Sequence, residues 1–66
     1  MAVARVSTVT ASSSKGFEDA INEALNRANK TLRGLTELEV VSQKATIKDG
    51  KIDEYWVTVE ITFVLE

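Results

Sequence analysis

The stretch Ala45-Thr46-Ile47-Lys48-Asp49-Gly50-Lys51-Ile52-Asp53-Glu54-Tyr55-Trp56-Val57-Thr58 decides the fold. Asp49-Gly50 lies between two runs rich in β-branched residues. A two-residue hairpin turn needs positive φ at both central positions, which Asp and Gly tolerate best. The reading is therefore a hairpin, with Glu37 to Lys48 pairing against Lys51 to Glu66. Without a bulge, Lys48 faces Lys51, Gln43 faces Trp56, Val41 faces Thr58, Val40 faces Val59, Glu39 faces Glu60 and Leu38 faces Ile61. In the second strand of the hairpin, Tyr55, Val57, Val59, Ile61, Phe63 and Leu65 alternate with Glu54, Trp56, Thr58, Glu60, Thr62 and Val64. The first set is the expected core face.

Upstream, Phe17, Ala20, Ile21, Ala24, Leu25, Ala28 and Leu32 recur at spacings of three and four, with polar residues between them. This is the pattern of an amphipathic helix of about 19 residues, roughly 28 Å long. Ser13 or Ser14 is expected to cap its start, and Gly34 to close its end in a left-handed conformation. Three alanines on the apolar face call for a close packing partner. Ala2 to Thr10, rich in Val and Thr, reads as a strand that stops at the small polar linker Ala11-Ser12-Ser13-Ser14. The order strand, helix, strand, strand predicts an α+β fold. Its three-stranded antiparallel sheet would have the last strand in the middle and the helix on one face. The whole chain, residues 1–66, is read as a single domain.

The chain has 66 residues, of which 44% are hydrophobic and 27% charged, with no Pro, Cys or His and a net charge of -2. Folded alone, such a chain would bury only about 60% of the surface it exposes when unfolded. Small domains compensate with disulfides, zinc or self-association. The first needs Cys and the usual zinc sites need Cys or His, so self-association is the expectation. Helix on one side leaves the other sheet face, with Trp56, Val41, Ile47, Ile52 and Val64, as the expected subunit interface or intersubunit ligand site. The charge gives no electrostatic reason for a nucleic-acid or membrane partner. No apolar stretch approaches the length of a signal peptide core or a membrane span, so the expected location is the cytoplasm.

The inventory argues against an enzyme. Imidazole and thiolate chemistry are excluded, and Gly16, Gly34 and Gly50 form no phosphate-cradling loop. The carboxylates remain. Glu39 across from Glu60, with Glu37 one step along, is a like-charge pair that needs neutralising. A basic residue from a neighbouring subunit would do this, or a hard cation such as Mg²⁺ or Ca²⁺ held between subunits.

The chain resembles the dodecins, small flavin-binding proteins of bacteria and archaea. The resemblance runs through Ser14-Lys15-Gly16-Phe17-Glu18-Asp19-Ala20-Ile21 and Ala28-Asn29-Lys30-Thr31-Leu32-Arg33. It continues in Glu39-Val40-Val41, in Asp49-Gly50-Lys51-Ile52, in Tyr55, Val57, Thr58 and Val59, and in Phe63-Val64-Leu65-Glu66. It implies a β-α-β-β subunit with the sheet wrapped around the helix, a homododecameric shell, and storage or buffering of FMN, FAD or riboflavin without catalysis. It also places the ligand contacts at Glu37, Lys44 and Trp56. At the first position the family's flavin-binding members carry a Trp that stacks on the ring, and at the third a Gln that hydrogen-bonds its edge. Lys44 represents the family's basic residue, whereas Val64 replaces an Arg. Losing the stacking residue removes roughly 1 to 3 kcal/mol by analogy with base stacking, and a carboxylate is unfavourable beside an electron-rich ligand. Trp56 either restores stacking from the facing strand or fills the pocket. Weak or lost flavin binding follows from the second option. A structural or interaction shell that binds cations at intersubunit carboxylates, or no ligand, is the alternative.

Overall fold

The computed structural model describes residues 1–65. The chain runs β1 (Ala4–Ser13), α1 (Phe17–Thr31), β2 (Leu35–Lys48) and β3 (Lys51–Val64). The sheet is antiparallel with order β1-β3-β2, so the expected architecture is borne out. Asp49 and Gly50 adopt φ of 54° and 77°, the paired positive values that the turn requires.

α1 packs against β1 and β3. Its Ala20, Ala24 and Ala28 are buried against Val57, Val59 and Ile61 of the central strand. The alanines let the helix lie close, and the branched side chains fill the space they leave. Phe17 meets Tyr55 edge to face at 5.0 Å, closing one end of this layer. Leu65 departs from the expected core face: it lies beyond β3 and is 46% exposed. Glu66, read as the end of the last strand, lies outside the described residues.

Three boundaries differ from the sequence reading. β1 continues through Ala11, Ser12 and Ser13, which pair with Val57, Trp56 and Tyr55. β3 offers a partner that far, and Ala11 packs against the core, so tertiary pairing overrides the weak strand propensity of these residues. Neither Ser13 nor Ser14 caps the helix. The N-cap is Gly16, without a side-chain bond. The buried Ser13 hydroxyl instead accepts from the Lys15 N–H at 2.9 Å and donates to Asp19 Oδ2 at 2.6 Å, tying the end of β1 to the first turn of α1. The helix has 15 residues, not 19, because Leu32 is already extended and reaches the core from there. Gly34 is left-handed as expected, with φ 72°, but its carbonyl receives the Val64 N–H at 3.0 Å and turns the chain into β2.

β2 and β3 each span 14 residues, whereas β1 covers only Tyr55 to Val64 of β3. The tip of the hairpin, Thr46 to Glu54, therefore projects as a two-stranded arm. Its Ile47 and Ile52 stand opposite each other, 72% and 55% exposed. The molecule measures 51 × 19 × 13 Å with a radius of gyration of 13.6 Å, against about 11 Å for a compact chain of this length. Its accessible surface is 5044 Å², about 900 Å² more than a compact monomer of this mass exposes.

Candidate functional site

The site candidates lie on the sheet face turned away from α1, and three bulges decide which of them meet. Near the turn, Lys48 faces Lys51 and Ile47 faces Ile52 as expected. Asp53 is then an extra residue in β3, so Thr46 faces Glu54, Lys44 faces Trp56, Gln43 faces Val57 and Ser42 faces Thr58. The unbulged register, with Gln43 on Trp56 and Val41 on Thr58, is therefore corrected. Val41 is the extra residue in β2 that restores the expected pairs Val40–Val59, Glu39–Glu60 and Leu38–Ile61. A third irregularity at Thr36, whose hydroxyl donates to the Thr62 carbonyl at 3.4 Å, shifts Leu35 onto Phe63. A bulge inserts one residue and so re-aims the side chains that follow it. Without the offset between Asp53 and Val41, Lys44 would lie on the helix side of the sheet. With it, Lys44 lies beside Trp56 on the outer face.

Across the three strands the outer face reads Ser12, Trp56, Lys44; then Thr10, Thr58, Ser42; then Thr8, Glu60, Glu39; then Val6, Thr62, Glu37. The Thr10 and Thr58 hydroxyls bond at 3.2 Å, and Thr46 Oγ1 accepts the Glu54 N–H at 3.0 Å. Ser12 Oγ donates to Glu54 Oε2 at 3.4 Å. Two shallow hollows result. One, of about 330 Å³, is lined by Thr10, Lys44, Thr46 and Trp56. The other, of about 280 Å³, is lined by Glu37, Glu39 and Glu60 with Val6, Leu38 and Thr62.

Of the expected ligand contacts, Lys44 and Trp56 come together, whereas Glu37 falls in the carboxylate hollow with Glu39 and Glu60. The sequence missed Thr10 and Thr46 as companions of Trp56. Their only signal is strand alternation, and that signal is displaced on β2 by the bulges. Glu39 and Glu60 are directly opposite, as expected. Among the described residues of one chain, no group of three or more His, Cys, Asp or Glu is close enough to hold a metal ion. No helix is long and apolar enough to cross a membrane.

Comparison with known proteins gives a consistent picture. The family profile described as Dodecin matches residues 3–66. A dodecin of Thermus thermophilus is 46% identical over 54 residues, covering 82% of this chain and 78% of that protein. A crystal structure of a Thermus thermophilus protein matches with a TM-score of 0.94 at 39% identity, covering 100% of this chain and 97% of the other. The crystal structure of a calcium-chelating antigen, the calcium dodecin of Mycobacterium tuberculosis with a novel calcium-binding site, matches with a TM-score of 0.83 at 26% identity, covering 97% and 91%.

Proposed function

The chain belongs to the dodecin family, and from that premise we propose that it is a non-enzymatic homo-oligomeric shell, a dodecamer, that binds and buffers a small ligand in the cytoplasm. One observation carries the reading. Trp56 and Lys44 stand opposite each other on the outer sheet face, in a hollow separate from the one that holds Glu37. An aromatic surface beside a cation suits a planar electron-rich ligand. The excess surface of the single chain, about 900 Å², and its projecting arm fit a subunit that completes its burial against copies of itself.

Glu37 occupies the position of the family's stacking Trp, and Trp56 that of its ring-edge Gln, so FMN, FAD and riboflavin bind weakly or not at all. The test is a riboflavin and FMN fluorescence titration, with mass and absorbance measured on the same chromatographic peak. A colourless oligomer and no micromolar quenching are expected. Micromolar affinity abolished by Trp56→Ala would show instead that Trp56 has taken over stacking. The double replacement Glu37→Trp with Trp56→Gln should gain flavin affinity over the native chain.

A second reading rests on the Glu39–Glu60 pair and on the calcium dodecin among the relatives. Here the shell binds Ca²⁺ or Mg²⁺ where these carboxylates approach a neighbouring subunit. Calorimetric titration decides it. No heat and no change in melting temperature with either ion removes the cation reading.

A further inference from the structure

Lys44, Thr46 and Trp56 share one hollow, and their chemistry selects a ligand narrower than the flavin class. Trp56 supplies its aromatic surface. Thr46 Oγ1 already accepts the Glu54 N–H at 3.0 Å, which leaves its hydroxyl proton free to donate. The Thr10 hydroxyl is engaged by Thr58. Neither the Lys44 ammonium nor the Trp56 indole N–H takes part in the side-chain hydrogen bonds found among the described residues. The hollow thus offers a π surface and donors, and its lining contains no carboxylate. The nearest acid along the chain, Glu54, accepts the Ser12 hydroxyl.

The neighbouring hollow has the opposite character. Glu60 lies four residues along β3 from Trp56, about 13 Å at strand rise, and brings Glu39 and Glu37 with it. A ligand long enough to reach both hollows sets its far end among three carboxylates. One confined to the first meets donors and an aromatic, with the single Glu54 carboxylate at its edge, turned to the Ser12 hydroxyl.

We infer that this hollow binds a compact aromatic acid, one or two fused rings carrying a single carboxylate. The ring lies against Trp56, and the carboxylate is held by the Lys44 ammonium and the Thr46 hydroxyl. The inference rests on the small-ligand reading above and names the ligand class of the same site. The charge-assisted contact supplies affinity for the anion, and Glu37, Glu39 and Glu60 limit ligand length by repulsion.

The probe is 2-naphthoate, compared with the neutral isostere 2-naphthamide. Binding is followed by calorimetry and by quenching of Trp56, the only Trp in the chain, on the full-length protein with its mass measured by light scattering. Saturable binding of the acid is expected, with the amide weaker by about tenfold or more. Lys44→Gln and, by calorimetry, Trp56→Leu should each weaken the acid by about tenfold or more. Lys44 is exposed, so its replacement tests the site without disturbing the core. Equal affinities for acid and amide, an unaffected Lys44→Gln variant, or an assembled protein that binds neither probe would overturn the inference. A monomeric mass would overturn the shell reading and leave the calorimetry to decide this one.

Discussion

Glu39 of β2 stands directly opposite Glu60 of β3 on the outer face of the sheet. Like charges in this relationship oppose folding, by an amount comparable to the 0.2 to 1 kcal/mol of a favourable cross-strand pair. Glu60→Gln should therefore raise the stability of the chain in EDTA by a few tenths to about 1 kcal/mol, read from urea melts. If the second functional reading holds, the same variant should lose any Ca²⁺-dependent rise in midpoint that the native protein shows.

Ile61 is 1% exposed at the centre of the helix–sheet contact. Ile61→Ala should cost about 2 to 5 kcal/mol, and Ile61→Val about 0.5 to 1.5. A chain of this length has only about 3 to 10 kcal/mol in total. Circular dichroism should show Ile61→Ala largely unfolded unless assembly rescues it. Ala24→Leu should also destabilise, by about 1 to 3 kcal/mol, because the added side chain forces α1 away from β3.

Two glycines make opposite predictions. Gly34 has φ 72°, and a Cβ there would sit 3.3 Å from the Val64 carbonyl oxygen. Gly34→Ala should cost about 1 to 2 kcal/mol. Gly16 has extended backbone, open space for a Cβ and no side-chain cap to give the helix. Gly16→Ser supplies the missing oxygen and should raise stability by a few tenths of a kcal/mol. Chemical melts of the two variants should move in opposite directions.

The arm offers a prediction about assembly. Ile47 and Ile52 face each other at its tip and touch none of the core of their own chain. Replacing both with Lys should leave the circular dichroism of the chain unchanged and lower its mass in light scattering. An assembled double variant would show that the arm is not a contact between copies.

How much of this the chain announces depends on how local each cause is. The turn was legible because Asp49-Gly50 states its own backbone requirement. The strand order followed from chain connectivity, and the alanine stripe followed from helical spacing. Ser13 departs from the cap its residue type favours because pairing with Tyr55 outweighs that local preference. The helix end moved because Leu32 buries its side chain as well from an extended backbone as from a helical one. Trp56 and Lys44 were both legible as candidates, but their meeting was not. It depends on Asp53 and Val41, and nothing in either residue's type marks it as the extra one in its strand.

The two irregularities at Asp53 and Val41 act as an offset inserted and then cancelled. The tip and the stretch Glu37 to Val40 keep the partners that the turn sets, so Ile47 still meets Ile52, Val40 meets Val59 and Leu38 meets Ile61. Between Glu37 and Lys48, only the segment Ser42 to Thr46 is out of phase, and it is the segment that faces Trp56. Variation in this segment can therefore change which side chain meets the aromatic without disturbing the core or the tip. The identity of the side chain beside Trp56 is separable from folding here by a slip of one residue.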